Sequence, residues 1–246
     1  MRSIFKEKKL RTIYSIAALV GVLVLSIGAP SAYSGETGEE IFKALKWYGH
    51  ASFALELEKT IYIDPWNIPE TAPKADLILV THSHFDHLSV EDIERLQKEK
   101  TTIVCSEDCV SQLSGDVKGM RPGQEIEING IKVTGFPAYN LSKPFHPKKN
   151  GWLGYIITVK GIKIYHAGDT DFIPEMKNLK EINIALLPVG GKYTMNAEEA
   201  AQAANKIKAD ISIPMHYGGG VIGSEKDALK FKRLCQGEVK ILNKIK

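Results

Sequence analysis

The sequence predicts an α/β domain in which two mixed β-sheets pack face to face with helices outside. Short apolar, β-branched runs recur along the chain, and several are joined by hairpin turns. Helical stretches are too few to supply a crossover between every pair of parallel strands, which a doubly wound sheet requires. The order also repeats: strands with hairpins, then a helix, first in one half and then in the other.

The elements follow in chain order. Residues 47–58 (WYGHASFALELE) and 60–64 (TIYID) read as two strands around a Glu58-Lys59 turn. Residues 75–81 (ADLILVT) form a short apolar run and read as a buried strand. Residues 89–98 carry Val90, Ile93 and Leu96 as an apolar stripe after an N-capping Ser89, with Asp92 three residues on, which predicts a helix. Another strand spans 101–105. An Asn129-Gly130 turn joins strands at 125–128 and 131–136. A second hairpin turns at Gly161 between 155–160 and 163–166. A buried strand covers 182–187, and a helix capped by Asn196 with Glu199 at its third position covers 196–208. A strand at 211–215 and a helix at 225–235 complete the chain. No internal repeat or low-complexity tract is visible, and residues 35–44 read as a tether ahead of the domain.

The first 34 residues differ from the rest. Arg2, Lys6, Lys8, Lys9 and Arg11 against Glu7 give a net charge of +4, and an 18-residue apolar stretch, 12–29, follows. Ala32 and Ser34 offer small residues at the −3 and −1 positions of a cleavage after Ser34. Residues 1–34 are therefore expected to be a signal peptide or an uncleaved N-terminal membrane anchor through 12–29, with the domain of 35–246 outside the cytoplasm. The whole chain is +3, but residues 35–246 carry 27 basic and 28 acidic side chains. The domain thus lacks the basic surface that nucleic acid demands, and no nucleic-acid partner is expected. Nothing in the sequence bears on oligomeric state. The three cysteines, Cys105, Cys109 and Cys235, are no disulfide framework, and no CxxC is present. Pairing of Cys105 with Cys109 and free buried thiols are both compatible with their spacing.

The chemistry concentrates in THSHFDH, residues 81–87, where three of the seven histidines fall. His82, His84, Asp86 and His87 offer imidazole nitrogen and carboxylate oxygen, donors suited to zinc, iron, manganese or nickel. Four donors so close together cannot close one tetrahedral site without strain, but they can be divided between two adjacent ions. In extended backbone His82 and His84 point the same way, and Asp86 and His87 lie past the bend. The motif ends a predicted strand, where open α/β sheets place their sites. Asp64, His146, His166, Asp169 and His216 also follow predicted strands, so they can meet the motif at one edge.

THSHFDH, HAGDTD (166–171) and PMHYG (214–218), in this order, resemble the metallo-β-lactamase-like metal-dependent hydrolase superfamily. WYGHASF, IDPW, PAYN and LLPVGG add a resemblance to its ascorbate-6-phosphate-lactonase-like branch and related uncharacterised hydrolases. The likeness covers residues 45–246 and implies the four-layer αβ/βα sandwich of that fold. It implies that His82 and His84 bind one divalent ion, that Asp86, His87 and His216 bind a second, and that Asp169 bridges them. The usual Gly-His-Thr or Gly-His-Ser string for the third ligand of the first ion is missing. His146 is the expected replacement, because imidazole is a better ligand than the carboxamide of Asn140, which stands nearer the usual place and is expected instead to stand behind the ligands, hold a water or polarise substrate. Asp64 is expected to orient a ligand histidine through its free ring N–H or to form a turn before Pro65. His50 is expected to face substrate and His166 to be structural.

The implied activity is hydrolysis of an ester, lactone, amide or related bond in a small-molecule substrate. Two ions, zinc foremost with manganese, iron or nickel as alternatives, would hold a bridging hydroxide, and Asp86 or Asp169 would carry protons. A phosphodiesterase of the same fold, lipid-directed if the chain is anchored, and a non-enzymatic metal-binding protein are the competing readings. Trp66, Tyr139, Phe145, Trp152, Tyr193 and Tyr217 flank the ligands as packing or substrate contacts. Lys143, Lys148, Lys149 and Lys192 are surface lysines or anion contacts.

Overall fold

Two sheets, built from consecutive halves of the chain, carry the architecture. The computed structural model describes residues 36–245, so the predicted export or anchoring segment lies outside the described residues. The first sheet runs in the order β1 (Leu45–Gly49), β2 (Ser52–Glu56), β3 (Thr60–Ile63), β4 (Leu77–Val80), β5 (Thr102–Ser106) and β6 (Asp116–Met120). Its first three strands pair antiparallel and the rest parallel. The second sheet is laid out in reverse order from β7 (Glu125–Ile128), β8 (Ile131–Pro137), β9 (Leu153–Val159) and β10 (Ile162–His166), all antiparallel, to β11 (Ile184–Pro188), β12 (Ile211–Met215) and β13 (Glu238–Val239), which are parallel. Helices α1 (Glu36–Ala44), α2 (Val90–Leu96), α3 (Ala197–Ile207) and α4 (Glu225–Leu234) complete it. Among the described residues no helix is long and apolar enough to cross a membrane.

Strand alternation builds the layers. Leu77 and Leu79 of β4 pack with Val133, Leu153 and Ile157 of the second sheet, whereas Ile78 and Val80 face Ile93 and Leu96 of α2. A strand covered on both faces needs a continuous apolar run, and LILV supplies one. The Tyr155 hydroxyl, fully buried, donates to the Val80 carbonyl at 2.7 Å and ties the sheets together near the site. On the far face of the second sheet α3 buries Ala200, Ala204 and Ile207, and its capping box is complete: Glu199 N–H to Asn196 and Asn196 N–H to Glu199, both at 2.9 Å.

The two-sheet class is as expected, with four local corrections. Residues 47–58 form two strands, because Gly49 (φ 102°) and His50 (φ 52°) turn the chain between them. Residues 35–44 are no loose tether: 36–44 are α1, with Ile41 fully buried. Strands β6 and β13, absent from the sequence reading, extend each sheet at its parallel edge.

Candidate metal centre

The edge where β1, β3, β4, β8, β10 and β12 end collects the acidic and imidazole groups. Six of the seven histidines converge there with Asp86 and Asp169. Three sets of donor atoms lie within 4.8 Å of one another: His82, His84 and His146; His82, His87 and Asp169; and His50, Asp86, His87 and His216. The ligand partition expected from the sequence is thus brought together in space, with His50 added to the second set. The backbone is bent to do so: His50, Asp64 and His216 all have positive φ, at 52°, 46° and 62°. Such left-handed residues persist where surrounding bonds hold them. Here His50 N–H donates to the Tyr217 carbonyl at 3.0 Å and His216 N–H to the His50 carbonyl at 2.8 Å.

Three of these histidines, His82, His87 and His146, are oriented from behind. Asp64 is fully buried and accepts from Nδ1 of His87 at 2.7 Å, from the Thr81 amide at 2.7 Å and from the Thr81 hydroxyl at 2.7 Å. That hydroxyl in turn accepts from Nδ1 of His82 at 3.0 Å. With Nδ1 of both rings so engaged, their Nε2 atoms face the cluster. Asn140 serves His146: its Oδ1 accepts from the His146 backbone N–H at 3.0 Å and from Nδ1 at 3.1 Å. Its Nδ2 donates to Asp171 at 3.0 Å and to the Tyr193 carbonyl at 2.9 Å. Asn140 thus presents no free group to a substrate; it holds the loop and ring of His146. Asp171 also accepts from Leu141 N–H at 2.9 Å and pairs with Lys143 at 2.5 Å. His50 donates through Nε2 to Asp86 at 2.9 Å and is wholly buried, its ring tilted against His216 with centroids 3.9 Å apart, so it lies behind the cluster and not on a substrate-facing surface. His166 stands apart: Nε2 donates to the Ala51 carbonyl at 2.9 Å and Nδ1 accepts from Gly168 N–H at 3.2 Å, a structural arrangement.

The donor geometry fits a cation. Nε2 of His87, His146 and His216, Nδ1 of His50 and Oδ1 of Asp169 are buried without a hydrogen-bond partner. Yet they crowd together: Asp169 Oδ2 is 3.3 Å from His146 Nε2 and 3.0 Å from His216 Nε2, and Oδ1 is 3.3 Å from His87 Nε2. His82 Nε2 is 3.1 Å from His84 Nδ1. These approaches to Asp169 lie off the line a hydrogen bond needs. Bonds of about 2.0–2.1 Å to a tetrahedral ion place donor atoms roughly 3.3 Å apart, close to what is found. Asp169 Oδ2 stands between the set containing His146 and the set containing His216.

The electrostatics agree. Burial alone raises the Asp169 carboxyl, but His216 and His87 hold it well below the usual carboxylate range. For Asp86, burial also raises the value, and the His50 hydrogen bond with the nearby His87 brings it down to about 2. Burial lowers His82 well below, and His50 to about 4, so both rings favour the neutral, lone-pair-bearing form. His87 is the exception: burial lowers it, but Asp169 and Asp64 outweigh that and hold it well above its ordinary value. A position between two carboxylates calls for positive charge.

Several contributors carried no assignment from the sequence. Thr81 and Asp171 lie inside the quoted motifs, and their motif membership was the available signal. Asp108 had none: it accepts from Ser83 at 2.6 Å and from the Trp152 indole at 2.7 Å, holding the motif and the ring that packs 4.8 Å from His82 and 4.9 Å from His84. Of the flanking aromatics, Tyr139 bonds Glu175 and Tyr217 packs on Trp47, so both are structural.

Comparison with known proteins agrees with this reading. Residues 44–216 match the family described as the beta-lactamase superfamily domain. A UPF0173 metal-dependent hydrolase of Methanoregula boonei is 40% identical over 185 residues, covering 70% of this chain and 81% of the relative. Another from Thermococcus kodakarensis is 36% identical over 214 residues, covering 80% and 94%. A solved structure from Parabacteroides distasonis is 36% identical and superposes with a TM-score of 0.72, covering 82% of this chain and 93% of that one. Sequence, sheet order and the histidine–aspartate edge thus converge, and the chain belongs to the UPF0173 metal-dependent hydrolases of the beta-lactamase superfamily.

Proposed function

We infer that this chain hydrolyses an ester, lactone, amide or related bond in a small molecule, with two divalent ions held by the strand-end cluster. The observation that carries this is the set of buried, unpartnered nitrogen and oxygen atoms that crowd around Asp169. His82, His84 and His146 would hold one ion, Asp86, His87 and His216 the other, and Asp169 both. Zinc suits these donors best, with manganese, iron and nickel next. Ions bound there supply Lewis acidity and make a nucleophile available from water at neutral pH.

The chain's own groups do the rest. Nδ1–H of His87 donates to Asp64 and Nδ1–H of His146 to Asn140 Oδ1, which leaves the Nε2 lone pair of both rings for the centre. His50 fixes one oxygen of Asp86 and leaves the other free. Asp86 and Asp169 both line the cavity above the cluster. Held ionised, either carboxylate can accept a proton and pass it to a leaving group.

The test is metal analysis of the purified protein with ester hydrolysis before and after chelation. We expect bound divalent metal, activity lost on chelation and restored by zinc or manganese, and loss of both in Asp169→Asn. Protein without metal whose melting temperature ignores added zinc and manganese would overturn the assignment. Residues 12–29 support export or anchoring of the domain outside the cytoplasm. Cell fractionation with alkaline extraction checks that, and full-chain protein in the cytosolic fraction would refute it.

A further inference from the structure

A cavity of about 220 Å³ opens onto the cluster, floored by His84, Asp86, His146 and Asp169 and walled by Phe85, Phe145, Tyr193 and Val221. Phe145 and Tyr193 meet edge to face at 4.7 Å. Phe85, inside THSHFDH itself, is 67% exposed, with its ring edge-on to Trp66 at the rim. Leaving so large an aromatic surface in water beside a reactive centre is costly unless something covers it.

Charge is missing from these walls. Among the described residues no lysine or arginine lines the cavity. Of the cations in the same loops, Lys143 pairs with Asp171 and Lys148 with Glu175, and Lys192 lies over the Tyr193 ring at 5.0 Å without lining the cavity. A phosphoryl or carboxylate group away from the ions would find no charge-assisted partner here. An apolar group would find three aromatic rings. A cavity of roughly 150 Å³ accommodates benzene, so the space takes one ring or a short branched chain beside the scissile bond.

We propose that this cavity binds an uncharged, apolar acyl group of about one ring's size, and that Phe145 and Tyr193 set the specificity. The proposal rests on the hydrolase reading above and narrows its substrate to neutral carboxylic esters, lactones or amides with a hydrophobic acyl side, away from phosphodiesters. Both rings are partly exposed, so their truncation leaves the fold intact.

Ethyl acetate, ethyl phenylacetate and monoethyl succinate share one leaving group and can be compared by proton release with the zinc- or manganese-loaded protein. kcat/KM for the phenylacetate should exceed that of both others by about tenfold or more. Phe145→Ala and Tyr193→Ala should each lower the phenylacetate-to-acetate ratio about tenfold, mainly through KM, and Phe145→Leu should restore part of it. Equal or lower kcat/KM for the phenylacetate, or faster turnover of bis(p-nitrophenyl) phosphate, overturns the proposal and leaves a metal-dependent hydrolase standing. If neither these esters nor the corresponding aryl lactone and amide turn over, the hydrolase reading fails and the pocket is judged by binding. Saturation-transfer NMR with 2-phenylethanol should show transfer to the ring that is lost in Tyr193→Ala. No transfer, or transfer equal in the variant, overturns the pocket itself.

Discussion

Asn140 shows how much of this site is decided one side chain away from the chemistry. Its amide spans His146 on one side and Asp171 on the other, so the third imidazole of the first set is held by a carboxamide instead of replaced by it. Asn140→Ala should weaken metal affinity about 10- to 100-fold, as loss of a partner behind a ligand does. Chelator competition measures it, and the metal-free melting temperature should move little by comparison. Gly168 makes a sterner demand. It has φ 63°, and a Cβ there would lie 2.4 Å from the Leu153 carbonyl. Gly168→Ala should therefore cost upwards of about 2 kcal/mol in urea unfolding, because neither backbone can give way cheaply. His82, His84, Asp86 and His87 were legible because they are neighbours in sequence. The hold of Asn140 on His146 was not, since it depends on Asp171, 31 residues away from Asn140.

Elements with strong periodicity or caps read correctly, and those without did not. The strand LILV, the Asn129-Gly130 hairpin and the capped helix α3 each carry their signal locally. Asn196→Ala removes half of the α3 capping box and should cost about 1 kcal/mol, seen as a lower urea midpoint without change in metal content. Helix α1 was missed because ETGEEIFKA is short and its few apolar residues fall only in its second half, and its stability comes from Ile41 packing into the main core. Strand β6 (DVKGM) is largely polar and becomes a strand by pairing with β5. The turn at Gly49-His50-Ala51 hid inside an apolar run, although it places His50 against Asp86. In each case the deciding partner lies in another element, where a local reading cannot see it.

On the scale of the molecule, the interior is dry enough to silence its thiols. Burial pushes Cys105 up to about 12 and Cys235 up to about 11, from 9.0, and Cys109 higher still. All three are free thiols. The folded state holds them protonated where the unfolded chain ionises. Their contribution is therefore complete below pH 9 and is lost as pH rises toward 11 to 12. The urea midpoint should stay level from about pH 7.5 to 8.5 and fall beyond about pH 9. At pH 8 a thiol reagent should label the native protein far more slowly than the unfolded chain.

The first sheet uses residues 45–120 and the second 125–239, each an unbroken stretch of chain. His50, His82, His84, Asp86 and His87 come from the first, and His146, Asp169 and His216 from the second. Neither half supplies all the donors of any of the three sets. Ions bound across the seam would act as a clasp, and parting the sheets would mean surrendering the metal. Free metal at a hundred times its dissociation constant should then raise unfolding free energy by about 2.7 kcal/mol, and chelator should act on this protein as a denaturant does. During synthesis none of the three donor sets is complete until the second half of the chain has been made.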